Sequence, residues 1–158
     1  MSWHVPNAVM LAADKVTQFL YWATDGRVGE RQLRYSMLLL HTIGRKTGKR
    51  RTHTLLYIRD GENLVVCASN NGSPQPPAWY LNLEANPRVY IQHGRIQREV
   101  IAETVSPEER ERLWQMLLKV RPQYADYQTI TSRVFPIVLL KPLPAGENAS
   151  SVKEEDRV

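Results

Sequence analysis

The chain has 158 residues, of which 42% are hydrophobic and 23% charged, and its formal net charge is +5. This length suits one globular domain with a sizeable core, and the longest apolar runs are far shorter than the roughly 20 residues that cross a bilayer. The single cysteine, Cys67, excludes an internal disulfide and a thiolate metal cluster. The four histidines lie far apart without carboxylates at ligand spacing, so no metal is assigned. We expect a soluble, cytoplasmic protein.

Within the first 34 residues the sequence predicts an amphipathic helix, because apolar residues recur at spacings of three and four from residue 7 to residue 24. We expect this helix to pack on the domain, with a dimer contact or a peripheral membrane contact as alternatives. Residues 143–158 are polar without periodicity, and we expect them to be disordered. The predicted organisation is a helix and linker at 1–34, one domain at 35–142 and a tail at 143–158.

Six strands are predicted in the central part of the chain, at 35–43, 52–58, 64–69, 89–92, 96–103 and 134–140. Asp60-Gly61 between two apolar runs is a hairpin signal. Helices are predicted before the fourth strand, at 78–85, and before the sixth, from Ser106-Pro107. Because strands and helices do not alternate strictly, the predicted fold is α+β and mainly β, a split β-barrel of about six mostly antiparallel strands.

A dense group of cations lies between the first two predicted strands. The segment Gly44-Arg-Lys-Thr-Gly-Lys-Arg-Arg51 carries five Lys and Arg residues, and its glycines allow positive φ, which would let backbone N–H groups converge on an anion. A phosphate or a polycarboxylate suits this loop. A solvated hairpin turn explains it about equally well, whereas an RNA contact is disfavoured because aromatic residues for base stacking are missing.

Three further motifs suit a pocket for a planar ring, although each has a simpler interpretation. Ser69-Asn-Asn-Gly72 offers small and amide groups after a strand, but an ordinary turn would use the same residues. Trp79 to Leu83 has the pattern of core packing, yet Asn82, if buried, needs hydrogen-bond partners. Tyr124 and Tyr127 share one face, where they either pack or supply a proton.

Taken in order, these motifs resemble the deazaflavin-dependent nitroreductase and F420H2-dependent quinone reductase family. The resemblance covers roughly residues 35 to 142 and extends to Trp79 through Pro87, Tyr124-Ala-Asp-Tyr127 and Pro136-Ile-Val138. It implies a split β-barrel that binds coenzyme F420. It also implies an oxidoreductase that transfers a hydride from the reduced cofactor to a quinone, a nitroaromatic or a similar electrophile.

The resemblance implies a role for each matching position. The cofactor's phosphate and oligoglutamate tail would be held by Arg45, Lys46, Thr47 and Arg51. The cofactor groove would be formed by Thr52, His53, Thr54 and Leu55, the ring would be faced by Ala68, Ser69 and Asn70, and the pocket would be closed by Trp79, Tyr80, Leu81, Asn82 and Leu83. Tyr124 would orient the substrate or donate a proton, and Ser69 would donate a hydrogen bond near the ring. Asn70 stands where relatives carry lysine, and Arg121 where they carry an aromatic residue.

Two other functions stay open on the sequence. An FMN-dependent reductase would use the same barrel, although the run of cations favours the more anionic F420 tail. A non-catalytic carrier of an anionic cofactor or lipid would need the cationic loop but no substrate site. The expected partner is a small-molecule electrophile, nucleic acid is not expected, and the protein is either a monomer or a homodimer.

Overall fold

The structure, a computed structural model, describes residues 31–32 and 35–144. The strands of this part of the chain are β1 (Arg31–Gln32), β2 (Tyr35–Ile43), β3 (Arg50–Leu56), β4 (Ile58–Asp60), β5 (Asn63–Cys67), β6 (Arg88–His93), β7 (Ile96–Thr104) and β8 (Ile137–Pro142). The helices are α1 (Ala78–Ala85), α2 (Pro107–Val120) and α3 (Gln123–Thr129).

The strands form one curled antiparallel sheet. Its order is β1-β2-β6-β7-β8-β5-β4, and β3 pairs with β2. Tyr57 alone separates β3 from β4 in the chain, although these strands pair with opposite ends of the sheet, so the sheet has to curl until its two ends approach each other. This architecture confirms the predicted α+β, mainly β, split barrel, with helices before the fourth and sixth predicted strands.

The largest differences from the predicted strands within residues 35–142 lie at two places. The strand predicted at 52–58 is two strands, because the chain changes partner at Tyr57: β3 pairs with β2 and β4 with β5. The last strand begins at Ile137 rather than at residue 134. Pro136, which has no N–H to donate, directly precedes it.

The sheet separates two apolar clusters, and the alternation along β5 shows how. Leu64 and Val66 point into the barrel, where they join residues of β2, β6 and α1. Val65 and Cys67 point to the other face, where they meet Leu113 of α2 and further residues of α3 and β8. Since successive side chains of a strand face opposite sides, one short strand contributes to both clusters.

The predicted N-terminal helix at 7–24 and nearly all of the predicted tail lie outside the described residues. The chain from residue 31 to 144, with its gap at 33–34, contains no helix that is long and apolar enough to span a membrane.

Candidate active site

A cavity of about 630 Å³ lies between β3, the end of β5 and the start of α1. This volume is typical of small-molecule sites. The cavity brings together predicted site residues from four separate segments of the chain, three of them argued from motifs and the one in β3 implied by the resemblance. They are His53, Thr54, Leu55, Ser69, Asn70, Trp79 and Tyr124.

The wall formed by β3 carries a polar atom that has no hydrogen-bond partner among the described residues. Thr54 lines the cavity, and its Oγ1 is buried there without a hydrogen bond to any of them. Buried hydroxyl groups in native proteins nearly always have a partner. A ligand with polar atoms at its edge would satisfy this hydroxyl, so Thr54 fits a bound heteroaromatic ring.

A second wall is residues 68–73, here called the clamped loop. Arg133 donates three hydrogen bonds to its carbonyl oxygens: from Nη1 to Ala68 (3.1 Å), from Nη2 to Ser69 (2.7 Å) and from Nε to Ser73 (3.1 Å). The guanidinium also lies 4.9 Å from the ring centre of Phe135. Since one side chain fixes three carbonyl groups, the position of Ser69 at the cavity is set in advance of any ligand.

The backbone of the clamped loop has an unusual conformation. Asn70, Asn71 and Gly72 all have positive φ, at 46°, 53° and 77°. Asn and Gly are the residues that adopt this region most easily. A Cβ built on Gly72 would lie 2.8 Å from the Tyr127 carbonyl oxygen and 2.6 Å from Cδ1 of Ile130. Only glycine therefore allows α3 to pack this closely on the loop.

Helix α1 contributes Trp79 to the cavity but not the rest of its predicted set. Tyr80 points elsewhere and hydrogen-bonds Glu84 (2.8 Å) and Thr104 (3.2 Å), and Leu83 is buried in the barrel core. The structure does not bring Tyr80, Leu81, Asn82 or Leu83 to the cavity wall. Helical geometry explains Tyr80 and Leu81, because successive residues of a helix lie on different faces, whereas Asn82 and Leu83 lie one helical turn further along the chain from Trp79.

Asn82 has a structural function instead. Its Oδ1 accepts hydrogen bonds from the backbone N–H of Arg45 (3.1 Å) and from Arg45 Nη1 (3.3 Å), and its Nδ2 donates to Thr42 Oγ1 (3.1 Å). The buried amide thus obtains all these partners from the protein. Asn82 fastens residues 44–51, here called the cationic loop, to α1.

The cationic loop does not present converging N–H groups, contrary to the prediction. Arg45 donates its N–H to Asn82, Gly44 donates to Lys49 O (2.8 Å), and Thr47 and Gly48 both donate to Gly44 O (3.2 and 2.8 Å). Lys49 N–H donates to Thr47 Oγ1 (3.3 Å). These N–H groups are used to close the turn. An anion would instead meet the exposed cationic side chains.

The predicted tail-binding residues lie outside the cavity but close to it. Arg45, Lys46, Thr47 and Arg51 are exposed, whereas Thr52 hydrogen-bonds Nδ1 of His41 (2.8 Å) and Ala68 is fully buried. Strand β3 runs from the loop to the cavity, and Arg50 and Thr54 are about 13 Å apart at the rise of an extended strand. A ligand with a ring in the cavity and an anionic tail could reach both places.

Arg121, directly after α2, and Tyr124, in the first turn of α3, line the cavity at one end. Tyr124 is 4% exposed, and burial raises its pKa well above the ordinary value, so the phenol stays protonated at neutral pH. Arg121 lies between three tyrosines, 5.6 Å from the ring centres of Tyr35 and Tyr124 and 5.9 Å from that of Tyr127. A charged group thus stands beside a neutral phenol.

Five residues of the cavity lining were not predicted from the sequence, namely Met37, Leu56, Cys67, Pro77 and Ala78, whereas Asn71 was part of the Ser69–Gly72 motif and Arg121 was noted only as a departure from the resemblance. Most neighbour a predicted residue in the chain, so extending each motif by one position would have found them. Met37 carries no such signal, because only the pairing of β2 with β3 brings it there. The pKa of the Cys67 thiol is raised to about 12 by burial, which keeps it protonated.

Fold and cavity first define a class: a split β-barrel with a small-molecule cavity beside a cationic loop. Comparison with known proteins then gives the family. The family model of the F420H(2)-dependent quinone reductases matches residues 14–142, and an F420H(2)-dependent quinone reductase of Mycobacterium tuberculosis is 42% identical over 125 residues, which cover 77% of this chain and 84% of the relative. The chain belongs to the F420H2-dependent quinone reductase family.

Two solved structures are similar to this chain, and the first of them is described as an F420-dependent reductase. An F420-H2 dependent reductase (FDR-A) is similar with a TM-score of 0.61 and 35% identity, over 66% of this chain and 93% of that one. A protein described as a domain-swapped dimer is similar with a TM-score of 0.65 and 31% identity, over 85% of this chain and 100% of the other.

Proposed function

We propose that this protein is a reductase that uses F420H2 to reduce a quinone. The observation that carries the proposal is the placement of a preformed cavity, with the unpartnered Thr54 hydroxyl and the fixed Ser69, one strand length from the cationic loop. A ligand with a planar ring and a long anionic tail would match this arrangement, because the ring suits the cavity and the tail suits the cationic loop. The family assignment names such a cofactor.

The cofactor would be held in two ways. The exposed side chains of Arg45, Lys46 and Arg51 would attract its phosphate and carboxylates, an attraction that salt screens. The ring would lie in the cavity, where Thr54 and Ser69 offer hydroxyl groups and Trp79 offers an aromatic surface. When bound, the reduced deazaflavin supplies a hydride, and the protein supplies position and electrostatics.

Tyr124 would act on the substrate side. Its phenol is neutral because burial raises its pKa, so it can donate a hydrogen bond to a carbonyl oxygen of the quinone. This bond would orient the acceptor and place a proton near the oxygen that becomes negative. We expect Tyr124→Phe to lower turnover at saturating cofactor; unchanged turnover would contradict this function of Tyr124.

Ser69→Ala tests the cofactor side. The substitution removes the hydroxyl but keeps the carbonyl that Arg133 binds, so the loop should stay in place. With 2-methyl-1,4-naphthoquinone as acceptor, anaerobic oxidation of F420H2 followed by absorbance should slow about tenfold, since one hydrogen bond is lost. Ser132→Ala, an exposed serine outside the cavity, is the matched control. Absence of oxidation by the wild type would overturn the proposed function.

Two finer points are also proposals. Quinones are favoured over nitroaromatics as substrates because the family is described by quinone reduction. A homodimer is favoured over a monomer because a relative is described as a domain-swapped dimer. Peripheral membrane contact stays a prediction that vesicle sedimentation of the full chain would test.

A further inference from the structure

Arg121 has an environment that other cations of the described chain lack. The residue directly follows α2, and its backbone carbonyl accepts a hydrogen bond from Tyr124 N–H (3.2 Å). Its guanidinium lies within 6 Å of the ring centres of Tyr35, Tyr124 and Tyr127. Nη2 donates to the Tyr127 hydroxyl (3.3 Å), whereas Nε is buried without a hydrogen-bond partner in the part of the chain that the structure describes. The aromatic rings therefore fix the side chain and leave one donor unused.

The charge of Arg121 is not neutralised by the described part of the protein. The ion pairs found there join Arg88, Arg112 and Lys141 to carboxylates, and none includes Arg121. Of the described residues that line the cavity, none is an Asp or a Glu. Arginine keeps its charge at all relevant pH values. Among the described residues, the permanent positive charge of Arg121 at the cavity thus has no counter-ion, and its Nε–H has no acceptor.

We propose that Arg121 binds the negatively charged oxygen of the reduced quinone. The inference rests on the proposed function and assigns to Arg121 a catalytic contact in place of the aromatic residue that the resemblance implies at this position. Guanidinium groups aimed at a developing negative charge stabilise it most effectively where water is excluded and no reorganisation is needed. The three tyrosine rings provide that fixed setting.

The charge balance of the reaction explains why a cation is useful here. A quinone that accepts a hydride gains one hydrogen nucleus and two electrons, and it becomes a hydroquinone monoanion. A proton, from Tyr124 or from water, then completes the neutral hydroquinone. Arg121 does not give up a proton in this sequence. It donates an N–H hydrogen bond and its charge to the anion until protonation occurs.

Binding without cofactor separates this proposal from the proposed function. The probes are 2-hydroxy-1,4-naphthoquinone, which is ionised at neutral pH, and the neutral 2-methyl-1,4-naphthoquinone. Isothermal titration of the wild-type protein should show about a tenfold preference for the anion, which Arg121→Gln removes and Arg121→Lys partly restores. Arg95→Gln, which makes the same charge change at an exposed turn outside the cavity, should keep the preference.

Turnover gives the second readout. Arg121→Gln should lower kcat with F420H2 by about a hundredfold, as expected when a donor to an oxyanion is lost, with little change in cofactor affinity. No anion preference in the wild type, or a preference that survives in Arg121→Gln, would overturn the assignment. Anion preference without any F420H2-dependent turnover would support this site and overturn the proposed function.

The wild-type protein also supplies a test that needs no glutamine variant. The Nε–H resonance of Arg121, identified by its absence in Arg121→Lys, should shift when the hydroxyquinone binds and stay in place with the methylquinone. An unchanged resonance in the presence of bound hydroxyquinone would contradict the proposed contact. This measurement keeps the proposal falsifiable if Arg121→Gln does not fold.

Discussion

The cationic loop and the clamped loop border the same site, but the protein builds them in opposite ways. In the cationic loop, N–H groups are used inside the turn, and the arginine and lysine side chains extend into solvent. In the clamped loop, the carbonyl oxygens are bound by Arg133 and Gly72 is packed tightly against α3. The first loop is suited to binding by charge, and the second by shape.

The anchors of the two loops show the same contrast. The neutral amide of Asn82 fastens the cationic loop at a single residue, Arg45. The charged guanidinium of Arg133 fastens the clamped loop at three residues. Hydrogen bonds from charged groups are the stronger kind. We therefore expect substitutions in the clamped loop to alter folding stability, and substitutions in the cationic loop to alter ligand affinity.

The largest effect is expected for Arg133→Met. The substitution leaves the carbonyl oxygens of Ala68, Ser69 and Ser73 without this donor, and lost charged hydrogen bonds should lower the free energy of unfolding by about 3–4 kcal/mol. Urea denaturation measures the change. Arg95→Met, a substitution at an exposed arginine, is the control, and its free energy of unfolding should stay within about 0.5 kcal/mol of the wild type. A similar loss in both variants would contradict the special function of Arg133.

A pair of glycine substitutions compares the two loops directly. Gly72 and Gly48 have similar positive φ, 77° and 68°, but a Cβ on Gly48 would meet no atom of the described residues within 4 Å. Gly48→Ala should cost only the conformational strain, about 1 kcal/mol. Gly72→Ala adds contact with the Tyr127 carbonyl and should cost about 2–3 kcal/mol. Equal values in thermal or urea denaturation would show that the clamped loop is not tightly packed.

His41 of β2, which pairs with Thr52 directly after the cationic loop, should make the protein less stable in acid. Burial, and secondly the charge of Arg50, lower the pKa of His41 to about 4. The unfolded chain has the ordinary value of 6.5 and binds a proton first as the pH falls, so stability decreases between pH 6.5 and 4. The decrease in the free energy of unfolding that is due to His41 amounts to about 2 kcal/mol at pH 5.

His93 shares this behaviour, because burial lowers its pKa to about 4 as well. His41→Gln should therefore remove only the decrease in stability that is due to His41, and the decrease that is due to His93 should remain. The measurement is urea denaturation of both proteins at pH 7 and pH 5. If the variant shows the same decrease in stability as the wild type, His41 is not the titrating group.

The smallest effect is expected for charge removal in the cationic loop. Lys46→Gln and Arg51→Gln alter exposed side chains and should leave stability unchanged. Each should weaken F420 binding by several-fold, about 1 kcal/mol, and the difference from wild type should shrink in high salt. Fluorescence titration measures the F420 affinity of each variant and its dependence on salt. A difference in affinity that salt does not reduce would show that these residues do more than supply charge.

The sequence predicted the fold well because its strand and turn signals are local. The helix at 78–85 and the hairpin at Asp60-Gly61 were found at their observed places. Along β7, alternation alone left two faces equally suitable, and Val100 and Ala102 proved to face the barrel core. That choice depends on which strands lie beside β7, and such partners are distant in the chain.

The site was predicted less completely for the same reason. Trp79 and Asn82 are three residues apart and were given one function, yet Trp79 lines the cavity and Asn82 holds Arg45. The partner that explains Asn82 is 37 residues away in the chain. Arg133 clamps residues 60 or more positions before it, and no motif marks this arginine. Motifs identify residue types that suit a site, whereas partners distant in the chain decide their function.

Binding by charge at the cationic loop and by shape at the cavity is tested most directly by a fluorescence titration of the full chain with F420 and with FMN, each in low and in high salt. Because the cations of the cationic loop attract the more anionic tail of F420, F420 should bind more tightly than FMN at low salt. In high salt, F420 should bind more weakly but still measurably, because the ring keeps its place in the cavity. Preferential binding of FMN, or the complete loss of F420 binding in high salt, would contradict this division between charge and shape.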